Sequence, residues 1–129
     1  MNKFGLTVAC VMGITGIAIG AFAAHGLKTL ISIESLQTFE TGVRYQLYHA
    51  LFLLCINMGA FLSSKQQRLV TVLTLIGVCL FSGSIYGLST NSLTVFDFKI
   101  IAFITPIGGL MLILAWATLL FYTLKAKRN

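Results

Sequence analysis

The sequence predicts an all-α integral membrane protein: a bundle of four membrane-spanning helices with a short amphipathic helix at the membrane surface between the first two spans. Hydrophobic residues make up 57% of the 129 residues and charged residues only 9%, whereas a soluble domain carries about 25% charged residues on its surface. The apolar residues also fall into four segments, each of about 20 residues, which is the length that a helix needs to cross a bilayer. Lipid is therefore the solvent that suits this chain.

The four predicted spans form one membrane domain, and they cover about residues 4–24, 43–62, 69–88 and 100–124. They are predicted to be helices because a backbone in lipid must satisfy its own hydrogen bonds. The first segment shares some features with a signal peptide, including Lys3 ahead of an apolar run. Its length and its four glycines favour an uncleaved first helix.

The longest connection, about residues 25–42, is predicted to contain the amphipathic helix. Apolar residues recur there at spacings of one to three, and Ser32 followed by Glu34 and Ser35 is typical of a helix start. We expect a helix over about residues 33–41 that lies at the outer surface and runs into the second span.

The charges predict the orientation. With four spans, the N-terminus, the connection between the second and third spans, and the C-terminus share one side. The basic residues on that side, which has no acidic residue, are Lys3, Lys65, Arg68, Lys125, Lys127 and Arg128. The charged residues on the other side are Lys28, Arg44, Lys99, Glu34, Glu40 and Asp97. The positive-inside rule predicts a multi-pass protein of the cytoplasmic (inner) membrane with both termini in the cytoplasm.

Small residues predict where helices pack closely. Gly16 and Gly20 in the first span, and Gly83 and Gly87 in the third, have the four-residue spacing that lets helix backbones approach each other. Packing within one bundle is the favoured interpretation, and self-association through a glycine face is the alternative.

Residues 39–51 place several polar side chains where the second span enters the membrane. Glu40 and Arg44 are four residues apart, so a helix brings them together, and the arginine needs a partner at this depth. Tyr48 lies on the same helix face, while Tyr45 and His49 share the neighbouring face. The stretch is the most informative in the chain.

His25, at the outer end of the first span, lies on the same side as His49 and could approach it. The complete candidate polar cluster is His25, Glu40, Arg44, Tyr45, Tyr48 and His49. Interface anchoring around a satisfied ion pair is the favoured interpretation. A proton-relay or ligand site is the first alternative, and a metal or haem site using both histidines is the weakest, since two histidines without further ligands give a poor signal.

No catalytic residue, metal site or cofactor is predicted. The three cysteines, Cys10, Cys55 and Cys79, sit singly in apolar stretches without metal-ligand spacing, and Asn57 is expected to form a hydrogen bond between helices. In the fourth span, Pro106 with Gly108 and Gly109 predicts a kink or a local unwinding near the outer end.

Four ordered motifs resemble the family called domain of unknown function 423. They are residues 20–27, 39–51, 80–86 and 104–109. The resemblance covers nearly the whole chain, and the family, small bacterial inner-membrane proteins, looks similar to the animal transmembrane protein 256. The resemblance implies a protein of the cytoplasmic membrane and implies no activity. By resemblance, the signature positions are His25, Glu40, Gly42, Arg44, Tyr45, His49 and Pro106.

The residues favour a structural or accessory membrane protein and argue against an enzyme, because three acidic residues leave few groups for acid–base chemistry. The expected partners are the lipid bilayer and either further copies of the chain or a larger membrane complex. The net charge of +6 does not indicate nucleic acid, since the basic residues sit at helix ends and form no stripe. The alternative functions are a small oligomeric transporter or channel entered through the outer polar cluster, and a cofactor protein using both histidines.

Overall fold

The computed structural model describes residues 1–126, and two residues of the predicted basic tail, Lys127 and Arg128, lie outside this range. Four α-helices dominate the described chain: α1 (Lys3–His25), α2 (Ile33–Met58), α3 (Ser64–Ser89) and α4 (Ile104–Lys125). Short 3₁₀ helices lie in the connections at Leu27–Thr29, Asn91–Leu93 and Phe98–Ile101. Three segments are long and apolar enough to cross a membrane: Lys3–His25, Ser64–Ser89 and Phe98–Lys125.

The separate surface helix expected at residues 33–41 is absent as an element of its own, because it forms the first turns of α2. The predicted helix start is confirmed: the Ser32 hydroxyl accepts a hydrogen bond from the Ser35 amide at 3.1 Å, which satisfies a backbone donor of the first turn. Helix α2 then continues without interruption through Gly42, which is buried against the ring of Tyr86 in α3. The close approach to α3 keeps this segment in the bundle.

The turn between α2 and α3 is shorter than the hydropathy predicts, because polar side chains fix both helix ends. The amide nitrogen of Gln67 donates to the carbonyls of Ile56 and Gly59, both at 2.9 Å, and so closes the end of α2. Ser63 and Gln66 form a capping box that starts α3. Helix α2 therefore ends at Met58 and not near residue 62, and α3 begins five residues before the predicted apolar segment.

Pro106 lies in the first turn of α4 and not within a continuous helix. The chain is a 3₁₀ helix at Phe98–Ile101 and becomes α-helical at Ile104, so the irregularity precedes the proline. A missing amide donor costs little there, because first-turn amides have no partner within the helix.

Neighbouring helices pack in chain order, α1 against α2, α2 against α3, and α3 against α4. Gly16 and Gly20 of α1 pack closely, as expected, and their partner is α2: a Cβ on Gly16 would lie 2.7 Å from Leu47, and one on Gly20 would lie 3.2 Å from Val43. These two glycines therefore pack inside the bundle.

The glycine pair in α3 does not form one packing face. Gly83 is exposed and has no atom within 4 Å of where its Cβ would be, while Gly87 faces the ring of Phe98. The close contact between α3 and α4 is made elsewhere, by Gly77 and by Gly108, for which the sequence predicts a kink and not a packing contact.

The ends of the helices separate the charges as predicted. The Asn2 amide donates to the carbonyl of Asn57 at 3.1 Å, and the Arg68 guanidinium lies 5.8 Å from the ring centre of Phe4, so the start of α1, the end of α2 and the start of α3 lie together. The described basic residues at this end are Lys3, Lys65, Arg68 and Lys125, and no acidic residue of the described chain lies there. The outer surface between the two ends is apolar and includes exposed Ile14, Ile17, Leu110, Ile113 and Leu120, as a lipid-facing surface requires.

Candidate functional site

The six residues of the predicted outer cluster do not form one site. The Arg44 guanidinium donates to the Thr41 hydroxyl at 3.1 Å, and the structure records no ion pair with Glu40 anywhere in residues 1–126. Arg44 and Tyr48 point outward from α2, and Tyr48 is 59% exposed. The expected ion pair is therefore replaced by a local bond one turn away. Arg44 lies about three turns from the start of α2, where a long, exposed arginine side chain can extend toward the membrane surface without a carboxylate partner.

The two histidines lie far apart. Gly20 of α1 packs against Val43 of α2, and the two helices are antiparallel, so His25 is level with the first turns of α2 while His49 is level with the first half of α1. Their separation along the helix axes is roughly 16 Å at the α-helical rise. The register therefore separates the two histidines of one bundle too far for a shared site, and within residues 1–126 no group of three or more potential metal ligands comes together.

His49 instead bonds Trp116, a contact that the sequence does not predict. The Trp116 indole Nε1–H donates to His49 Nε2 at 3.2 Å, and His49 Nδ1 lies 2.7 Å from the Tyr45 carbonyl oxygen. Because an indole can only donate, Nε2 must carry the lone pair and Nδ1 the proton. His49 is therefore a neutral imidazole with both nitrogens bonded, and it links α2 to α4.

A pocket of about 300 Å³ lies beside this pair, between α2, α3 and α4. Tyr45 lies on one side of it, with its ring 4.9 Å from the ring centre of Phe81 and 6.3 Å from that of His49. The residues that line the pocket are Tyr45, His49, Phe81, Gly109, Leu112, Ile113 and Trp116. Two members of the predicted cluster, Tyr45 and His49, meet at this cavity.

A second group of polar side chains, centred on Gln46, joins α1, α2 and α3. The Gln46 amide donates to the Met12 carbonyl at 3.0 Å and to the Thr15 hydroxyl at 2.8 Å, and its oxygen accepts the Tyr86 hydroxyl at 2.7 Å. One turn outward, the Ser82 hydroxyl donates to the Gly42 carbonyl at 2.7 Å. Every polar atom of the Gln46 amide therefore has a partner near the middle of the bundle.

The group around Gln46 forms the floor of a cleft of about 350 Å³ between α1 and α3. The wall of this cleft is mainly apolar, and its other lining residues are Val11, Ile19, Leu75, Val78, Cys79 and Gly83. Helices α1 and α3 pack against each other much less than the neighbouring helix pairs do, and the cleft between them opens on the outer surface of the bundle.

The opposite end of the bundle holds a buried amide, as the sequence predicts for Asn57. Its side-chain nitrogen donates to the Leu53 carbonyl at 2.9 Å and to the Thr71 hydroxyl at 3.1 Å. A Cβ on Gly5 of α1 would collide with the Asn57 side chain. Asn57 therefore links α2 to α3 by a hydrogen bond, and α1 packs against its side chain at Gly5.

The sequence does not identify Gln46, Trp116, Tyr86 and Gln67, because each of them bonds a residue of another helix or helix end. The buried positions of α2 recur at spacings of three and four, and they include Phe39, Gly42, Gln46, His49, Leu53 and Asn57. That period places Gln46 and His49 on the buried face of α2. No local signal identifies Trp116, since it meets α2 only in three dimensions.

Comparison with known proteins gives one family. The family described as "Protein of unknown function (DUF423)" matches residues 19–109. A UPF0382 membrane protein of Haemophilus influenzae is 37% identical, over 98% of this chain and 97% of its own length. UPF0382 membrane protein YwdK of Bacillus subtilis is 34% identical, over 95% and 98%, and UPF0382 inner membrane protein YgdD of Escherichia coli K12 is 31% identical, over 99% and 95%. No solved structure matches the chain.

Proposed function

The chain belongs to the DUF423 family of membrane proteins of unknown function, and we propose that it is a structural or accessory protein of the cytoplasmic membrane and not an enzyme. In this proposal all four helices cross the bilayer, both termini face the cytoplasm, and the bundle packs against a second copy or a larger membrane complex. In this role the protein acts through the surface that binds a partner, and the buried interior keeps the bundle rigid.

The observation that carries this proposal is the pairing of the buried polar side chains. Within residues 1–126, the hydroxyl of Ser89 is the single buried side-chain N or O atom without a hydrogen-bond partner. The amides of Gln46, Asn57 and Gln67 all bond other helices or helix ends. A transport path needs polar groups that face water or a substrate, whereas these groups face one another, as expected of a rigid scaffold.

The membrane topology is supported by length and charge. Helix α2 has 26 residues, about 39 Å at the α-helical rise, and it lies between α1 and α3, both of which are long and apolar enough to cross a bilayer. A helix packed lengthwise between two membrane-spanning helices shares their depth. The purely basic end of the bundle then faces the cytoplasm by the positive-inside rule.

The cleft between α1 and α3 is the favoured contact surface for a partner. Gly83 lies in its wall, is exposed, and has open space around it. A small residue on an open helix face lets a second helix approach closely in lipid. Cys79, one turn away along α3, is also exposed and lines the same cleft.

The native cysteines allow a direct test by disulfide crosslinking in native membranes. We would compare one variant that retains only Cys79 with a matched variant that retains only Cys55, which is exposed on α2 and does not line the cleft. A dimer through Cys79 and none through Cys55 is expected for a pair of copies. A photo-crosslinking residue at position 83 detects a different partner as a heavier adduct. If both experiments give only monomer, the accessory role is wrong.

The alternative of an oligomeric transporter or channel has less support, because Glu40, Arg44 and Tyr48 do not line a cavity with His49. It still makes a distinct prediction. Vesicles that contain the purified protein should then show a flux of protons or small solutes above that of protein-free vesicles.

A further inference from the structure

We propose that the pocket between α2, α3 and α4 binds the flat, uncharged ring of a quinone-type lipid, whose tail remains in the bilayer. The inference goes beyond the proposed accessory role and does not depend on it, since the pocket lies apart from the cleft between α1 and α3.

The depth of the pocket points to a ligand that dissolves in lipid. Trp116, the single tryptophan of the chain, lies near the middle of α4, although tryptophan prefers the ends of membrane helices. Its side chain is 52% exposed on the outer surface of the bundle, and its N–H avoids the cost of being unpaired in lipid by bonding His49. A ligand can therefore reach the pocket from within the bilayer.

The walls of the pocket suit a flat ring. Tyr45, Phe81 and Trp116 present three aromatic side chains, and Gly109 leaves the side facing Phe81 without a side chain. Aromatic faces favour offset or edge contacts with another planar ring. About 300 Å³ is the lower end of the range for ligand pockets, so a head of one or two rings fits while a long tail does not.

The polar groups indicate an uncharged ligand with carbonyl oxygens. None of the lining residues carries a formal charge once His49 is neutral, so a charged head would be desolvated without compensation. Within residues 1–126, no hydrogen bond between two helices involves the Tyr45 hydroxyl. Tyr45 lines the pocket although its side chain is partly exposed, and its hydroxyl gains a bond when a carbonyl oxygen of the ligand accepts from it. An acyl chain would fill the same space but would offer the hydroxyl no acceptor.

Trp116 provides the readout, because a quinone that stacks on the indole quenches its fluorescence. We would titrate decylubiquinone into the protein in phosphatidylcholine nanodiscs and measure the saturable part of the quenching. The pocket is then filled by Gly109→Leu, since a Cβ there meets only the Phe81 ring, at 3.7 Å. The matched control is Gly13→Leu, at a position that has no atom within 4 Å. We expect saturable quenching in the wild type and in the control, and its loss in Gly109→Leu.

A second pair of variants tests the hydrogen bond without changing the packing. Tyr45→Phe should weaken binding by about three- to tenfold, the value of one neutral hydrogen bond, while Tyr48→Phe, outside the pocket, should leave it unchanged. The proposal is overturned if quenching is linear without saturation, or if both Gly109→Leu and Tyr45→Phe bind as the wild type does. Equal competition by n-decanol and by a short quinone would also overturn it, because the pocket would then select the chain and not the ring.

Discussion

Gly108 of α4 lies directly against the backbone of Phe81 in α3. A Cβ at position 108 would collide with the Phe81 amide nitrogen and with the Leu80 carbonyl carbon. A colliding side chain can rotate away, whereas a colliding backbone moves only if the helix moves. The contact between α3 and α4 therefore depends on the absence of one methyl group.

Gly108→Ala should destabilise the bundle by about 1–3 kcal/mol, the usual cost of overpacking, because α3 and α4 must separate to admit the methyl group. The measurement is unfolding in mixed micelles with increasing SDS, followed by Trp116 fluorescence. Gly83→Ala is the matched control, since its Cβ would have open space and alanine favours the helix. If the two variants unfold at the same SDS concentration, the contact between Gly108 and Phe81 does not hold α3 and α4 together.

Gln46→Leu should destabilise the fold by about 1–3 kcal/mol, because it removes the acceptor of the Tyr86 hydroxyl and the donor to the Met12 carbonyl. Gln37→Leu, an exposed position on the same helix, is the control and should have little effect. A double-mutant cycle with Tyr86→Phe isolates the bond between Gln46 and Tyr86, and a nonzero coupling energy is expected. Strict additivity of the two changes would contradict a direct bond.

We expect the indole ring of Trp116 to lie near the middle of the bilayer. Its emission should be quenched most by phospholipids brominated deep in the acyl chain and least by those brominated near the headgroup. The physical reason is that His49 accepts the indole N–H, so the ring need not reach an interface to satisfy it. Trp116 emission in His49→Phe is the comparison, and a shift toward shallow quenching is expected there. Strongest quenching by the shallow bromines in the wild type would place the indole at an interface, against the prediction.

The topology can be tested with single cysteines in a variant that lacks the three native ones. Thr29→Cys and Ser92→Cys, both exposed in connections at the outer end, should react with a membrane-impermeant maleimide in intact cells. Ser64→Cys, at the start of α3, should react only after lysis. If α2 does not cross the membrane, Thr29→Cys and Ser64→Cys will react on the same side.

Much of the fold could be predicted from the sequence because hydropathy and helix caps are local signals. The start of α2 at Ser32 follows from one hydroxyl and the next few residues, and α1 matches its apolar segment within one residue at each end. The errors lie where a polar side chain from another segment overrides hydropathy. Gln67 ends α2 early, and the backbone contacts at Gly42 hold the predicted surface helix in the bundle.

The candidate site was predicted only in part, for the same reason. Tyr45 and His49 were expected to share a helix face, and they do, with nearly parallel rings. The partner of His49 could not be foreseen, because Trp116 is 67 residues away in the chain and no periodicity connects them. The spacing pairs Arg44 with Glu40, whereas in the structure Arg44 bonds the hydroxyl of Thr41.

By itself, the sequence determined that this chain belongs in a membrane, that its helices begin at polar caps, and that its basic residues gather at one end. These properties depend on composition and on residues within a few positions of one another. Only the tertiary structure decided which glycines touch a neighbouring helix, that Gln46 joins three helices, and that His49 faces Trp116. In lipid the apolar side chains of every helix are equally well solvated, so the pairing of helices depends on close backbone contacts and on scattered hydrogen bonds.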